Sequence, residues 1–577
     1  MATRPHIFVD DFKELVDSCV SFYGENEDKM GLERICERRA KLSGFAEAFH
    51  KDCGTLTPSV QKRIEDLRNG FGLVLMTAHQ PNFFAYSGVL RKATLNFVLA
   101  KKLEKLLKVP VVNFFGIADQ DFTDDRWVRS CQLPAVQRSG GILSIDVRLP
   151  EKLMLNRVAK PSPDFLHKWK SEIEKWFNDA IRSVDRLCKE HGFVDLSSAP
   201  SVAMLHKNFE SFWNVVEDCY ERSESYSDFN AFVMSKIVND VWGYDTVFSR
   251  FSECQQAFVD EFGFLLSRFK DYSRLLREAK EMPRDEGIGG GVSDQEPLLA
   301  PFWYHCDCGS KVRLFLMEKD GSLSGQGNCV GCGDYHELEF GAKNDPDISS
   351  VVSRVSARAI SMSLVFFNGL MPSCYVGGVG GVRYLVEAEH VAKGLDIPFP
   401  PIVVWRPSDK YLGVGQLEAV LELRRICSDL GTRDVSAAKD LLKARISEIR
   451  ERLDKLEESK KRVVEKLREH PNDENLKEEI MTISMNRTRM VKSSNLSVVS
   501  HELKILENVS TVLDLIPSII DYAVNVGLKE TSNQWIQHLN ENGSLSSDVR
   551  LESVLNHVVE LDASFSKDFS SLYGGLL

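Results

Sequence analysis

The sequence has no apolar run approaching the roughly 20 residues that cross a bilayer, which excludes an ordinary membrane-spanning helix. Its opening, "MATRPHIFVDDFKEL", contains no apolar stretch of secretory length, so the expectation is a cytoplasmic protein. A disulfide framework is also missing. The 13 cysteines are odd in number and mostly isolated, which fits reduced thiols. Positive charge is not in excess: a net charge of -12 and a pI near 5.7 argue against an extensive nonspecific grip on nucleic acid, although Lys101, Lys102, Lys105 and Lys108 form a local basic face. The full dinucleotide fingerprint of spaced glycines is absent too.

What is present is a 577-residue chain, too long for one ordinary core. Residues 1–70 have helical spacing and form an expected N-terminal helical layer. Leu73 to Thr77 reads as a strand, Val89 to Lys108 as a helix, and Val109 to Ile117 as a second strand. Continuous apolar strands in β-α-β order predict a parallel sheet buried on both faces, so the fold class is α/β with a Rossmann-like core. Its first half spans residues 71–150. A helical insertion and linker follow over 151–300, ending in the Gly- and Pro-rich stretch 281–297. Residues 301–342 read as a small zinc-knuckle insert, and 343–435 as the second half of the core, with helices near Ala357–Phe367 and Gly380–Lys393 and a strand at Ile402–Trp405.

Residues 436–577 read as a C-terminal helical coiled coil. Leu442, Ile446, Ile449, Leu453, Leu456, Val463 and Leu467 alternate spacings of four and three. "EHPNDEN" supplies a helix stop and a new start, so a second helix with Leu476, Ile480 and Ile483 folds back antiparallel. A helical hairpin within one chain and a homodimer are both compatible with that pattern.

Chemistry concentrates in four places. The turn "TAHQPN" follows the first strand, where unpaired N–H groups and a helix dipole favour phosphate or carboxylate; Thr77, His79, Gln80 and Asn82 lie there. His79 can bind an anion or exchange protons, or simply bond the backbone. The second strand ends in "GIADQDFTDD", bringing Asp119 and Asp121 to the same sheet edge, as ligands for an amine or hydroxyl or as helix caps. Cys306, Cys308, Cys329 and Cys332 form two close pairs about 20 residues apart, suiting a structural tetrahedral zinc ion, with His305 and His336 as possible substitutes. Finally, "SCYVGGVGGVRYL" places Tyr375, Gly377, Gly378 and Gly380 between a strand and a helix, with Arg358 nearby for an anion.

"TAHQP", "RKA", "LAKKLEKLLKVPVVNFFGIADQD", "SARAISMS" and "CYVGGVGGVRYL", in this order, resemble the bacillithiol-biosynthesis cysteine-adding enzymes. The resemblance implies a core related to class I synthetases and nucleotidyltransferases, a dimerising coiled coil, a small-molecule substrate, and an enzyme that joins cysteine or another amino acid to the amine of a sugar-derived acceptor, with ATP or ADP as a possible nucleotide. By position it matches Asp121 as catalytic and Thr77, Gln80, Arg358, Tyr375, Gly377, Gly378 and Gly380 as substrate-binding, while the turn and the acidic segment themselves offer His79 as a second catalytic residue and Asn82 and Asp119 as further substrate contacts. The chain departs from the family at Ala78 and His79, at Phe122 and Thr123, and at Val379 and Gly381. Those departures motivate the alternative of a noncatalytic nucleotide-binding or dimeric regulatory protein. "HQPNFFAYSGVLRKA" also resembles the opening of WbqC-like proteins, again implying a ligand turn.

Overall fold

A computed structural model describes residues 12–70, 72–191, 202–281, 298–405 and 412–542. The linker stretch beyond Glu281 and the tail after residue 542 lie outside the described residues. In chain order the strands are β1 (Leu73–His79), β2 (Val111–Ile117), β3 (Ser130–Pro134), β4 (Ile142–Asp146), β5 (Val247–Arg250), β6 (Leu299–His305), β7 (Lys311–Lys319), β8 (Ser322–Asn328), β9 (Tyr335–Ala342), β10 (Val355–Ala357), β11 (Cys374–Gly378) and β12 (Ile402–Trp405).

Five of them form the central sheet in the order β12-β11-β1-β2-β5, and every pairing is parallel. The expected strands around Leu73 and Val109 are therefore neighbours, joined by the helix Ser87–Leu107. β1 and β2 alternate their side chains between two apolar layers. Val74, Met76, Val112 and Phe114 enter one, while Leu73, Leu75 and Val111 enter the other beside Leu95 and Leu99. Each such side chain, removed from water, contributes about 1.5–3 kcal/mol.

One core strand was not visible in the sequence. β5 arises within the region read as a helical insertion, and its four residues, "VFSR", are too few to show a period between flanking helices. Much of the rest of that region is helical: Trp169, Ile173, Trp176 and Phe177 line one face of Pro163–His191 and pack on Val202–Arg222 and Tyr226–Ser235. The small insert is also larger than its expected boundaries. Its antiparallel sheet has the order β10-β6-β7-β8-β9, starting at Leu299 and closing with β10, beyond residue 342. β10 leads straight into Arg358, the N-cap of Ala359–Leu370, which ties this sheet to the core.

The helix Val435–Glu469 begins on Asp434, whose carboxylate accepts from the amides of Ser436 and Ala437. After a short turn, Asp473 caps Glu474–Ser493 in the same way, and Glu457 meets Arg487 at 3.4 Å across an antiparallel pair within the chain. Leu442, Ile446, Ile449 and Val463 of the expected seam are buried, whereas Leu453, Leu456 and Leu467 are half-buried. The hairpin's base packs on Leu496–Leu513 through Val499 and Leu506.

Two glycines set how closely the core elements approach. Gly72, at φ +96°, has no room for a side chain because a Cβ would fall on the carbonyl of Pro110. A Cβ on Gly116, in β2, would strike the Phe251 ring. Gly116→Ala is expected to lose about 1–3 kcal/mol through overpacking, read as a lower urea midpoint. Gly44→Ala, in an open position on the helix Glu33–Cys53, serves as the control and should leave the midpoint unchanged or higher.

Candidate functional site

The strand order reverses between β1 and β11, because the chain leaves β1 for β2 on one side and adds β11 on the other. In parallel α/β sheets, the crevice beyond the carboxyl ends at such a reversal is where polar groups and helix N-termini converge. The turn after β1, the acidic segment after β2 and the glycines ending β11 all meet this crest.

Thr77 acts as a strap. Its hydroxyl, buried, donates to the Val376 carbonyl at 2.7 Å and ties β1 to β11. His79 follows, with Nδ1 3.1 Å from the Gln80 carbonyl and Nε2 3.3 Å from the Tyr86 hydroxyl. A carbonyl only accepts, so the network assigns the proton to Nδ1 and leaves Nε2 to accept from Tyr86. Burial, reinforced by the Lys92 ammonium, pushes the imidazole down to about 3. His79 is thus neutral at physiological pH. Asn82, 2% exposed, is close enough to His79 to favour its charged form slightly, yet neither of its buried amide atoms has a well-formed hydrogen bond among the described residues.

The acidic segment divides its labour. Asp119 accepts from the backbone N–H of Ser252 at 2.9 Å and from the Ser252 hydroxyl, so it anchors the turn after β5, and burial pushes its carboxyl up to about 6. Asp121 accepts from Gln80 Nε2 at 3.0 Å, which links the β1 turn to the β2 turn. Phe122, one residue on, packs its ring edge against Trp303 of β6.

Two lysines that the sequence did not single out are brought to the same crest. Lys92, on the first turns of Ser87–Leu107, is 3% exposed, and its Nζ donates one long hydrogen bond, 3.4 Å, to the Ala78 carbonyl. A Cβ on Gly378 would lie 3.6 Å from that nitrogen, so the turn after β11 closes directly over it. Burial lowers Lys92 to about 7. Lys311 opens β7, is 4% exposed and holds its ammonium 4.9 Å from the Phe122 ring centre. Burial lowers it to about 8 against the opposing pull of Asp121. A charged residue on an otherwise buried helical face, as in "VLRKATL", was the available signal for Lys92. Arg358 stacks 4.3 Å over Trp303 and stands close enough to Lys311 to disfavour its charge.

The other expected residues divide between crest and core. Gly378 is the N-cap of Val379–Gly394 and offers no side chain to cover that helix's first N–H groups, while Gly380 lies in its first turn. A Cβ on Gly377 would press on Leu385 at 3.3 Å. Tyr375 turns away: its ring is buried against Phe367, in the apolar layer beneath the sheet.

The four cysteines form one cluster. All four sulfurs lie within 4.8 Å of one another, with Cys306–Cys332 at 3.6 Å and Cys308–Cys329 at 3.5 Å. Four thiolates around a tetrahedral zinc ion stand about 3.8 Å apart, so the cluster can hold a metal ion. The backbone is shaped for it: Gly309 and Gly333 adopt φ +87° and +83°, and the Gly331 amide points at the Cys329 sulfur from 3.4 Å. His305 and His336 are not among the clustered ligands.

Comparison with protein-family models and with curated protein sequences finds no match for this chain.

Purified protein is expected to carry about one metal ion per chain by elemental mass spectrometry. Cys306→Ser should reduce that content to near zero and lower the thermal midpoint; unchanged occupancy would refute the site.

Proposed function

We propose that the chain is a carbon–nitrogen bond-forming enzyme on a Rossmann-like core, adding cysteine or another amino acid to the amine of a small sugar-derived acceptor, with a structural zinc ion in the cysteine cluster. The observation that carries this reading is Lys92, a buried ammonium with one long hydrogen bond among the described residues, at a sheet reversal beside a helix N-terminus whose N-cap, Gly378, has no side chain. A buried cation so poorly satisfied calls for an anion, and phosphate or carboxylate also suits the helix N-terminus. The resemblance to the cysteine-adding enzymes supplies the reaction class and the use of ATP or ADP.

In this reading Lys92, Asn82 and the amides after Gly378 hold the anionic part of the substrate, with His79 as a neutral hydrogen-bonding group. Asp121, oriented by Gln80, receives the proton that the acceptor amine loses as its nitrogen attacks the carboxyl carbon. Lys311 and Arg358 stabilise the negative charge that grows on the carboxyl oxygen. Joining a carboxyl to an amine expels water overall, and coupling to ATP cleavage sends that oxygen out as phosphate. Cys306, Cys308, Cys329 and Cys332 would hold a zinc ion, which would supply rigidity to the two turns. A homodimer through the C-terminal hairpin belongs to the same reading.

A noncatalytic nucleotide-binding regulator is the second reading. It is favoured by Phe122, whose ring faces Lys311 and Trp303 where the resembled family carries a polar residue.

Mass spectrometry of reactions containing ATP, cysteine and glucosaminyl malate is expected to reveal a cysteine-ligated product, lost in Asp121→Ala and Lys92→Met. Nucleotide binding with no product from any amino acid would replace the enzyme with the regulator. Independently, sulfate should bind more weakly as pH rises. Lys92 is mostly charged below about 7 and mostly neutral above it, so affinity falls about fivefold between pH 7 and pH 8, a dependence that Lys92→Met removes.

A further inference from the structure

A second concave site lies away from the crest. The β3–β4 hairpin and the helices Pro163–His191, Val414–Asp429 and Leu496–Leu513 enclose a cavity of about 530 Å³, within the size range of small-molecule pockets. None of its lining residues belongs to the crest. Its wall is charged, and the charges are unevenly paired.

Glu418 and Glu422, four residues apart on Val414–Asp429, are 4% and 2% exposed. Glu422 is neutralised by Arg425 at 2.8 Å and Arg186 at 3.2 Å. Glu418 has no ion pair among the described residues. Its hydrogen bond of 3.1 Å comes from Gln137, whose amide is fixed in orientation: Oε1 lies 2.9 Å from His501 Nε2, and Nε2 donates to Glu418 and, at 3.2 Å, to Glu422. Burial, aided by Glu422, pushes the Glu418 carboxyl up to about 7 despite the opposing hydrogen bonds of Ser183 and Gln137 and the pull of the Arg186 guanidinium. The opposite deficit is found at the mouth. Arg138 is exposed, lines the cavity and has no ion pair among the described residues. Between them Trp176 presents an apolar wall, held by its indole N–H donating to the Pro134 carbonyl at 2.7 Å.

A carboxylate with no ion-pair partner of its own at the buried end, Arg186 being engaged by Glu422 and Glu190, and a guanidinium with none at the mouth among the described residues are complementary to a ligand bearing both charges. We propose that this cavity is a second ligand site that takes a free α-amino acid, its ammonium against Glu418 and its carboxylate toward Arg138. A simple amine would leave Arg138 unanswered, and a simple acid would meet Glu418. Because this site and the crest have no lining residue in common, the amino acid bound here is an effector rather than the reacting molecule.

Isothermal titration calorimetry of the full chain tests this with the natural amino acids, putrescine as an amine without a carboxylate, and glutarate as an acid without an amine. At least one amino acid is expected to bind with saturation, more tightly than putrescine or glutarate. Glu418→Gln should weaken it by about tenfold or more and Arg138→Ala by less, as expected of a buried and an exposed charge. Ala180→Phe, filling the cavity from the opposite helix, should abolish binding, and Lys92→Met should leave it unchanged. Arg138→Ala keeps the test open should a buried variant fail to fold. No saturable heat from any amino acid at millimolar concentration would overturn the proposal, as would putrescine or glutarate binding equally well. Binding lost in Lys92→Met but kept in Glu418→Gln would place the amino acid at the crest and overturn it too.

Discussion

β1 is paired along both edges and covered on both faces, and most of the architecture answers that constraint. A strand in such a position has water at neither edge nor face, so its backbone must be satisfied by β2 and β11 and its side chains by apolar layers on either side. Leu73 through Met76 meet the requirement with aliphatic and thioether side chains. At Thr77 the first polar side chain enters, and it is tolerated because its hydroxyl closes onto Val376. Beyond Thr77 the helical layers part, and the polar groups that the interior refuses can collect there. The crest is polar because the strand beneath it is not.

Against that background, the two lysines are costly. Removing an ammonium from water without a full set of acceptors disfavours its charged form, and both lysines are shifted downward by burial. Neither is needed to complete the apolar layers, and a methionine would occupy similar volume without the desolvation penalty. Buried ionisable groups with displaced pKa values in a crevice are commonly functional. Asp119 is the contrasting case in the same neighbourhood. Its carboxylate is also buried and shifted, but two hydrogen bonds from Ser252 account for it as an anchor of the β5 turn. The distinction between anchor and ligand group rests on whether local partners already satisfy the charge.

The sequence displayed this organisation unevenly. β1, the helix behind it and β2 were legible because apolar runs and a helical period follow one another within one short segment. The cysteine pairs were legible by spacing, and the cluster at 3.5–4.8 Å agrees with it. β5 was hidden because four residues carry no period. The resemblance makes Tyr375 a ligand contact along with the glycine turn, but strand alternation sends its side chain into the apolar layer on one face of the sheet and those of Cys374 and Val376 into the layer on the other, so only the glycines that end β11 reach the crest. Lys92 and Lys311 were obscured for a different reason. A lysine in sequence looks like a solvated charge, and only tertiary packing makes it a buried one.

Lys311 also connects the two chemically distinct parts of the molecule. It is the third residue after Cys308, at the start of β7, and its carbonyl accepts from the Val330 amide in the second cysteine turn at 2.9 Å. The first cysteine turn is closed by the Cys306 amide donating to Ser310 and by the Gly309 amide donating to Cys306. A metal ion drawing the two turns together would therefore fix the backbone on which Lys311 is mounted, while Phe122 and Trp303 limit where its side chain can go. Such an ion would act on the crest through geometry: each turn is short, and neither contributes many apolar contacts of its own. A four-cysteine cluster that holds an ion without an open position can in this way still shape the crest beside it.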